Sequence, residues 1–144
     1  MSLPYSDIET KVELAAVRHL NGIVTSRLAG ITVHPGLDDA DLHLPNVVCQ
    51  ATSAEEHIYN TGNYAVDLQL KVSSIISDTT PTVHRQRVAY VRDEFANDWV
   101  GASLSSQGVT DFTAIAVILE KSSRTIIDDH WTTTIPIVVH CRPS

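Results

Sequence analysis

The feature that most restricts how this chain can fold is a short stretch in which apolar and polar side chains alternate. From Tyr64 to Val72 every second residue is apolar, and the residues between them include Asp67, Gln69 and Lys71. Successive side chains of a β-strand point to opposite faces of its sheet, so the alternation predicts a strand with one face in the core. The other face is left to solvent or to a partner molecule.

Two segments have the apolar spacing of helices, because side chains three and four positions apart lie on one side of a helix. The first stripe consists of Ile8, Val12, Ala15, His19 and Ile23. The second consists of His84, Val88, Val91, Phe95 and Trp99. Thr80 and Pro81 precede the second stripe, and they favour a helix start because threonine caps well and proline suits the first helical position.

The last third of the chain predicts a hairpin. Residues 112–119 are apolar at nearly every position, so both faces of this strand are expected to be covered, the second face either by a neighbouring subunit or by loops of the same chain. Residues 131–141 form the returning strand, with room for an additional strand at 125–127. Pro136 lies within the returning strand and cannot donate a ladder hydrogen bond, which argues for an edge position or a bulge there.

Together with a further strand at 47–51, this order of elements predicts an α+β fold. We expect an antiparallel sheet of about four or five strands with two helices packed on one face. A length of 144 residues suits a single domain spanning 1–144. A long loop is expected at about 29–45, where Gly, Pro and Asp are frequent, with Ile31 to Val33 as the one candidate for a short strand. Such loops are usually functional or ordered by a partner.

Composition excludes several classes of protein. The chain carries 17 acidic and 10 basic residues, a formal net charge of -7, whereas nonspecific nucleic-acid binders have a basic surplus. Stable DNA binding is not expected, although an acidic wall past which DNA slides fits this charge. Cys49 and Cys141 are too few for a disulfide scaffold and are expected to be buried small hydrophobes. Neither a signal peptide nor a membrane span is evident, so we expect a soluble protein made in a cytoplasm.

The sequence contains no recognisable catalytic or nucleotide-binding motif. The acidic run 38–43 lacks the full spacing of a calcium loop, and Asp128-Asp129-His130 favours a turn. His19 and His84 lie on apolar helical stripes, where a hydrogen-bonded core histidine is the common explanation. We therefore expect no metal, no cofactor and no enzymatic activity. A small metal-dependent hydrolase that uses the scattered His and Asp residues stays as an alternative.

A resemblance to a known family rests on the order and character of the elements along nearly the whole chain. Residues 60–72 form a turn followed by the alternating strand, and 84–92 form an arginine-bearing helix. Residues 123–125 and 131–139 then make up the closing hairpin. This layout resembles the tail-terminator (tail-completion) proteins of long-tailed bacteriophages.

The resemblance implies a virion structural protein of the tail and neck that is assembled in the host cytoplasm. Its subunits would form a homo-oligomeric ring, a hexamer, on the head-proximal end of the tail tube. The partners would be the tail tube protein and a head-side neck or connector protein, with DNA passing through the lumen without specific binding. Another neck, head-closure or adaptor protein is the alternative. The residues expected to contact neighbouring subunits or partners are Asp38, Asp39, Asp41, Arg124, Asp128 and Asp129.

Overall fold

The computed structural model describes residues 5–22, 30–36, 45–56, 63–76, 80–96, 100–109, 112–127 and 130–142. Within these ranges the helices are α1 (Tyr5–Asn21), α2 (Pro81–Ala96) and α3 (Val100–Ser105). The strands are β1 (Thr32–Pro35), β2 (Asn46–Glu56), β3 (Tyr64–Ile75), β4 (Thr113–Leu119), β5 (Ser123–Ile127) and β6 (His130–Arg142). The predicted α+β class is confirmed. The described ranges add a third helix, α3, and a short strand, β1, which forms within the predicted long loop at about 29–45 because it pairs with β2.

The six strands form one sheet in the order β1-β2-β3-β6-β4, and β5 also pairs with β6. β1 runs parallel to β2, and the other pairs are antiparallel. β4 pairs with the second half of β6, from Ile137 to Arg142, while β5 pairs with its first half, from His130 to Thr134. The two short strands therefore share one side of β6, and β3 occupies the other side.

β6 is not an edge strand, but the β4 ladder reaches only to Ile137 and the β5 ladder only to Thr134. Pro136 lies between the two ladders, so the predicted edge position is confirmed locally. Pro136 is opposite Gln69 of β3, and its carbonyl accepts a hydrogen bond from the Glu120 N–H at 2.9 Å. A residue in an antiparallel strand directs its N–H and C=O toward the same neighbour. The missing proline N–H therefore faces the break between β4 and β5, where no ladder bond is required of it.

All three helices pack on one face of the sheet. The side chains of Val66, Leu68, Leu70 and Val72 on β3 are almost fully buried, and the exposed Asp67 between them confirms the predicted alternation. From α1, the buried stripe residues are Ile8, Val12, Ala15 and His19. From α2, they are His84, Val91 and Phe95. The stripe positions Ile23 and Trp99 lie outside the described residues. The apolar members of both stripes join the β3 residues in one hydrophobic cluster.

The start of α2 is as predicted, because the Val83 N–H donates to the Thr80 hydroxyl at 3.3 Å and the helix begins at Pro81. Ile115 is 53% exposed and Ile118 is 50% exposed, so this chain alone does not cover both faces of β4. Among the described helices, none has the length and apolar character needed to cross a membrane.

Candidate interaction surfaces

Half of the basic residues lie in one part of an otherwise acidic chain. The sequence has 10 basic residues, and those between positions 85 and 124 are Arg85, Arg87, Arg92, Lys121 and Arg124. The structure places them on α2, on the connection between β4 and β5, and on β5. This concentration is unexpected for a net charge of -7 and marks the α2–β5 side as a distinct surface.

Arg92 holds the β4–β5 connection against α2. Its guanidinium donates to the Ser122 hydroxyl at 2.5 Å and to the Glu120 carbonyl at 3.2 Å. Charge-assisted hydrogen bonds of this kind are stronger than neutral ones. Because β5 begins at Ser123, directly after this anchor, the same contact sets where β5 lies relative to α2.

A groove of about 430 Å³ lies between α2 and β5. We call it the basic groove, and it is lined by Pro81, Arg85, Arg124, Thr125, Ile126 and Trp131. Arg85 and Arg124 also line an adjoining hollow of about 200 Å³. Within the described part of the chain, neither guanidinium is paired with a carboxylate. Ile126 is 65% exposed, so the groove combines two available cations with an apolar surface.

His84 lies beside the basic groove in a buried polar cluster. Its Nδ1 is 2.9 Å from the Ser74 hydroxyl, and its Nε2 is 2.9 Å from the Thr133 hydroxyl. Arg87 also donates to the Ser74 oxygen at 2.9 Å. The Ser74 oxygen accepts from Arg87 and keeps its own proton, which it can donate to Nδ1; in that arrangement the neutral ring donates from Nε2 to Thr133.

The surroundings of His84 disfavour its charged form. Burial lowers the pKa of the imidazole, and the positive charges of Arg124 and Arg87 lower the pKa further. The cluster is therefore a neutral structural contact that fastens α2 to β3 and β6.

A second surface lies on the sheet face opposite the helices. It is a shallow cavity of about 410 Å³ whose lining side chains and backbone come from Thr52, Asp67, Leu68, Gln69, Glu120, Pro136, Ile137 and Val138. We call it the acidic face, because Asp67 and Glu120 are both exposed. Val138 is opposite the half-exposed Ile118 of β4, which extends the surface with apolar side chains. Lys71 lies farther along the same face of β3.

The outer edge of β4 is closed at Ala114. The Ser105 hydroxyl of α3 accepts a hydrogen bond from the Ala114 N–H at 2.9 Å, and it lies 3.3 Å from the Ala114 carbonyl. The strand also has a bulge between Ala114 and Ala116. Occupied backbone groups and bulges prevent an edge from pairing with another strand. A partner is therefore expected to approach β4 through its side chains.

Each helix contributes one side chain to a cluster with the composition of a serine-hydrolase triad. In space the side chains follow one another as Ser103, His19 and Glu94. His19 Nδ1 is 2.7 Å from the Ser103 hydroxyl, and Nε2 is 3.6 Å from a Glu94 carboxylate oxygen. Nε2 is closer to the Glu94 backbone carbonyl, at 3.1 Å. Burial lowers the pKa of His19 against the opposing effects of that carbonyl and carboxylate. The cluster joins the three helices, and the cavities described above are lined by other residues.

Among the residues predicted as interface positions, Arg124 lies in the basic groove. Asp38, Asp39, Asp41, Asp128 and Asp129 lie outside the described residues. Sequence reasoning did not select Arg85, Ile126, Trp131 or Glu120, and the one available signal was the clustering of basic residues after position 84.

Cys49 and Cys141 are buried, as predicted, and both are free thiols. Burial raises the pKa of both thiols, that of Cys141 to about 12. In the described part of the chain, no group of three or more His, Cys, Asp and Glu side chains is placed to hold a metal ion.

Comparison with known proteins shows that the fold is similar to that of a solved structure. No protein-family model and no curated protein matches the sequence. Among solved structures, the chain is similar to one described as "Virion of native gene transfer agent (GTA) particle". The TM-score is 0.55 at 10% sequence identity, and the match covers 96% of this chain and 95% of that chain. At this identity the similarity shows a shared fold over nearly the full length of both chains.

Proposed function

We propose that this chain is a structural protein of a phage-like virion and, within the virion, the tail terminator. In this role identical subunits form a hexameric ring on the head-proximal end of the tail tube. The ring joins the tube protein to a head-side neck or connector protein, and DNA passes through its centre without specific binding. The protein acts through assembly and carries out no catalysis.

The full-length fold similarity carries the proposal. The similar solved chain is described as part of the virion of a gene transfer agent particle, and the match leaves almost no unmatched residues in either chain. The arrangement of elements that the match spans is also the one that resembles the tail-terminator family. The fold similarity and the sequence resemblance therefore both favour a role in a virion.

The surfaces of the subunit also favour assembly. Ile115, Ile118 and Ile126 are each at least 50% exposed. Ile126 lines the basic groove and Ile118 lies opposite Val138 of the acidic face, and exposed apolar side chains grouped in this way commonly mark protein–protein contacts. The net charge of -7 suits a ring whose lumen does not retain DNA.

Assembly of the chain on tail tubes tests this function. The chain is produced together with the tube protein from the neighbouring reading frames, and the tubes are imaged by electron microscopy. The expected result is a closed ring on one end of each tube, with tubes of uniform length. Tubes without the chain should lack the ring and vary in length.

Two outcomes would contradict the tail-terminator role. A chain that binds the head-side neck protein but never a tube belongs to the neck or head-closure class, which is the second candidate. A chain that binds neither partner and stays monomeric beside intact tubes is not a virion joining protein.

A further inference from the structure

We propose that the basic groove of one subunit receives the acidic face of the next copy of the same chain. The inference rests on the proposed function, since it names the contact that would build the ring. The residues of the basic groove that take part in this contact are Arg85, Arg124, Ile126 and Trp131. Those of the acidic face are Asp67, Glu120 and Val138.

Charge complementarity identifies the occupant of the basic groove. Arg85 and Arg124 are exposed, and the described groove lining contains no carboxylate. A cavity with two free guanidinium groups suits a surface that presents two carboxylates. Asp67 and Glu120 line one shallow cavity and provide such a surface. Because both surfaces belong to one chain, a second copy supplies the complement.

The apolar parts of the two surfaces are complementary as well. In the basic groove, Ile126 is 65% exposed and lies beside Trp131. On the acidic face, Val138 lies beside Ile118, which is 50% exposed. Large apolar side chains surrounded by charged groups are the usual composition of an interface core with its rim. Association would cover both pairs of side chains.

The positions of the two surfaces determine the kind of assembly. Arg124 and Ile126 are in register with Thr133 and Trp131 on the helix side of the sheet, whereas the acidic face lies on the other side. A subunit whose complementary surfaces differ and lie apart joins its neighbours head to tail, which produces a ring when the rotation closes. Strand pairing through the outer edge of β4 is disfavoured at Ala114, because the Ala114 N–H already donates to the Ser105 hydroxyl.

Reciprocal charge reversal tests the contact. Variant A carries Arg85→Glu and Arg124→Glu, so its groove and its face are both acidic. Variant B carries Asp67→Lys and Glu120→Lys, so both of its surfaces are basic. The control carries Arg142→Glu, which reverses an exposed charge outside both surfaces. Self-association is measured by native mass spectrometry and analytical ultracentrifugation, and folding is checked by circular dichroism.

Variants A and B should each associate at least about a hundredfold more weakly than the unchanged chain, because like charges would face each other. Mixing A with B should restore assembly with the two variants in equal amounts. In that mixture the reversed groove of A meets the face of B, and the unchanged groove of B meets the face of A. Raising the salt concentration should weaken association of the unchanged chain.

The results separate this inference from the proposed function. If A and B each assemble as well as the control, the interface is wrong while the virion role stands. If an equal mixture of folded A and B stays monomeric, the inference is also overturned. An unchanged chain that remains monomeric up to about 1 mM overturns the inference as well. The separate experiment with tail tubes decides whether the proposed function then fails.

Discussion

Truncation of His84 should cost the fold about 3 kcal/mol, because its ring is 1% exposed and both of its nitrogens are hydrogen-bonded. Each lost hydrogen bond is worth about 1 kcal/mol net, and the buried space left by the ring adds about 1 kcal/mol more. The change His84→Ala is measured by urea unfolding at about pH 8, followed by circular dichroism. Gln86→Ala is the control, an exposed position of the same helix expected to change stability by at most about 0.5 kcal/mol.

The pH dependence of this difference gives a second check. The pKa of His84 is lower in the folded state than its ordinary value, so between the two pKa values the unfolded chain binds more protons. The contribution of His84 to the free energy of unfolding therefore rises with pH through this window, and it is lost as pH falls below about 6.5. The variant lacks this contribution, so its deficit should be largest near pH 8 and should shrink toward about pH 5. The lowered pKa of His19 affects both proteins equally and cancels from the comparison.

Either of two results would refute this account of His84. A loss below about 1 kcal/mol at the higher pH would mean that the Ser74 and Thr133 contacts do not stabilise the fold. A deficit that grows as pH falls would mean that the folded protein favours the protonated ring. The m-value should stay unchanged, since a large change would indicate altered compactness instead of a local loss.

Other predictions follow from burial and capping. Leu70→Ala should lower the free energy of unfolding, measured in urea, by about 3 kcal/mol. Gln69→Ala on the opposite face should lower it by at most about 0.5 kcal/mol, and equal losses would contradict a sheet with only one face in the core. Both thiols, Cys49 and Cys141, should resist a thiol reagent in the native protein and react in urea, and rapid native labelling would contradict their burial. Thr80→Ala should cost about 1 kcal/mol by loss of the helix cap, measured against the exposed Thr82→Ala, and equal effects would argue against capping.

Local patterns predicted much of the fold because each depends on geometry within one element. The alternation in β3 and the two helical stripes were readable from spacing alone, since a strand repeats every two residues and a helix every 3.6. The prediction of an exposed sheet face also followed from that alternation. The sequence indicated β5 only as room for an additional strand at 125–127, and β1 lies within the predicted loop, because short strands carry little periodic signal.

Pro136 and the apolar strand β4 show which features depend on neighbouring elements. A proline is excluded from a ladder only where its N–H is needed, and that depends on the break between β4 and β5 beside it. An apolar strand predicts cover on both faces without indicating which element or subunit supplies it, and the described residues leave Ile115 and Ile118 of β4 exposed. Both outcomes depend on which elements become neighbours after folding.

The sequence by itself therefore determined the α+β class, the buried face of β3 and the presence of a basic cluster in an acidic chain. Only the tertiary structure decided that Arg85 and Arg124 border one groove and that Asp67 and Glu120 meet on the opposite sheet face. Side-chain periodicity is a property of single elements, and it can be read from the order of residues. A site formed by α2, β5 and β6 exists only after long-range packing has brought distant residues together.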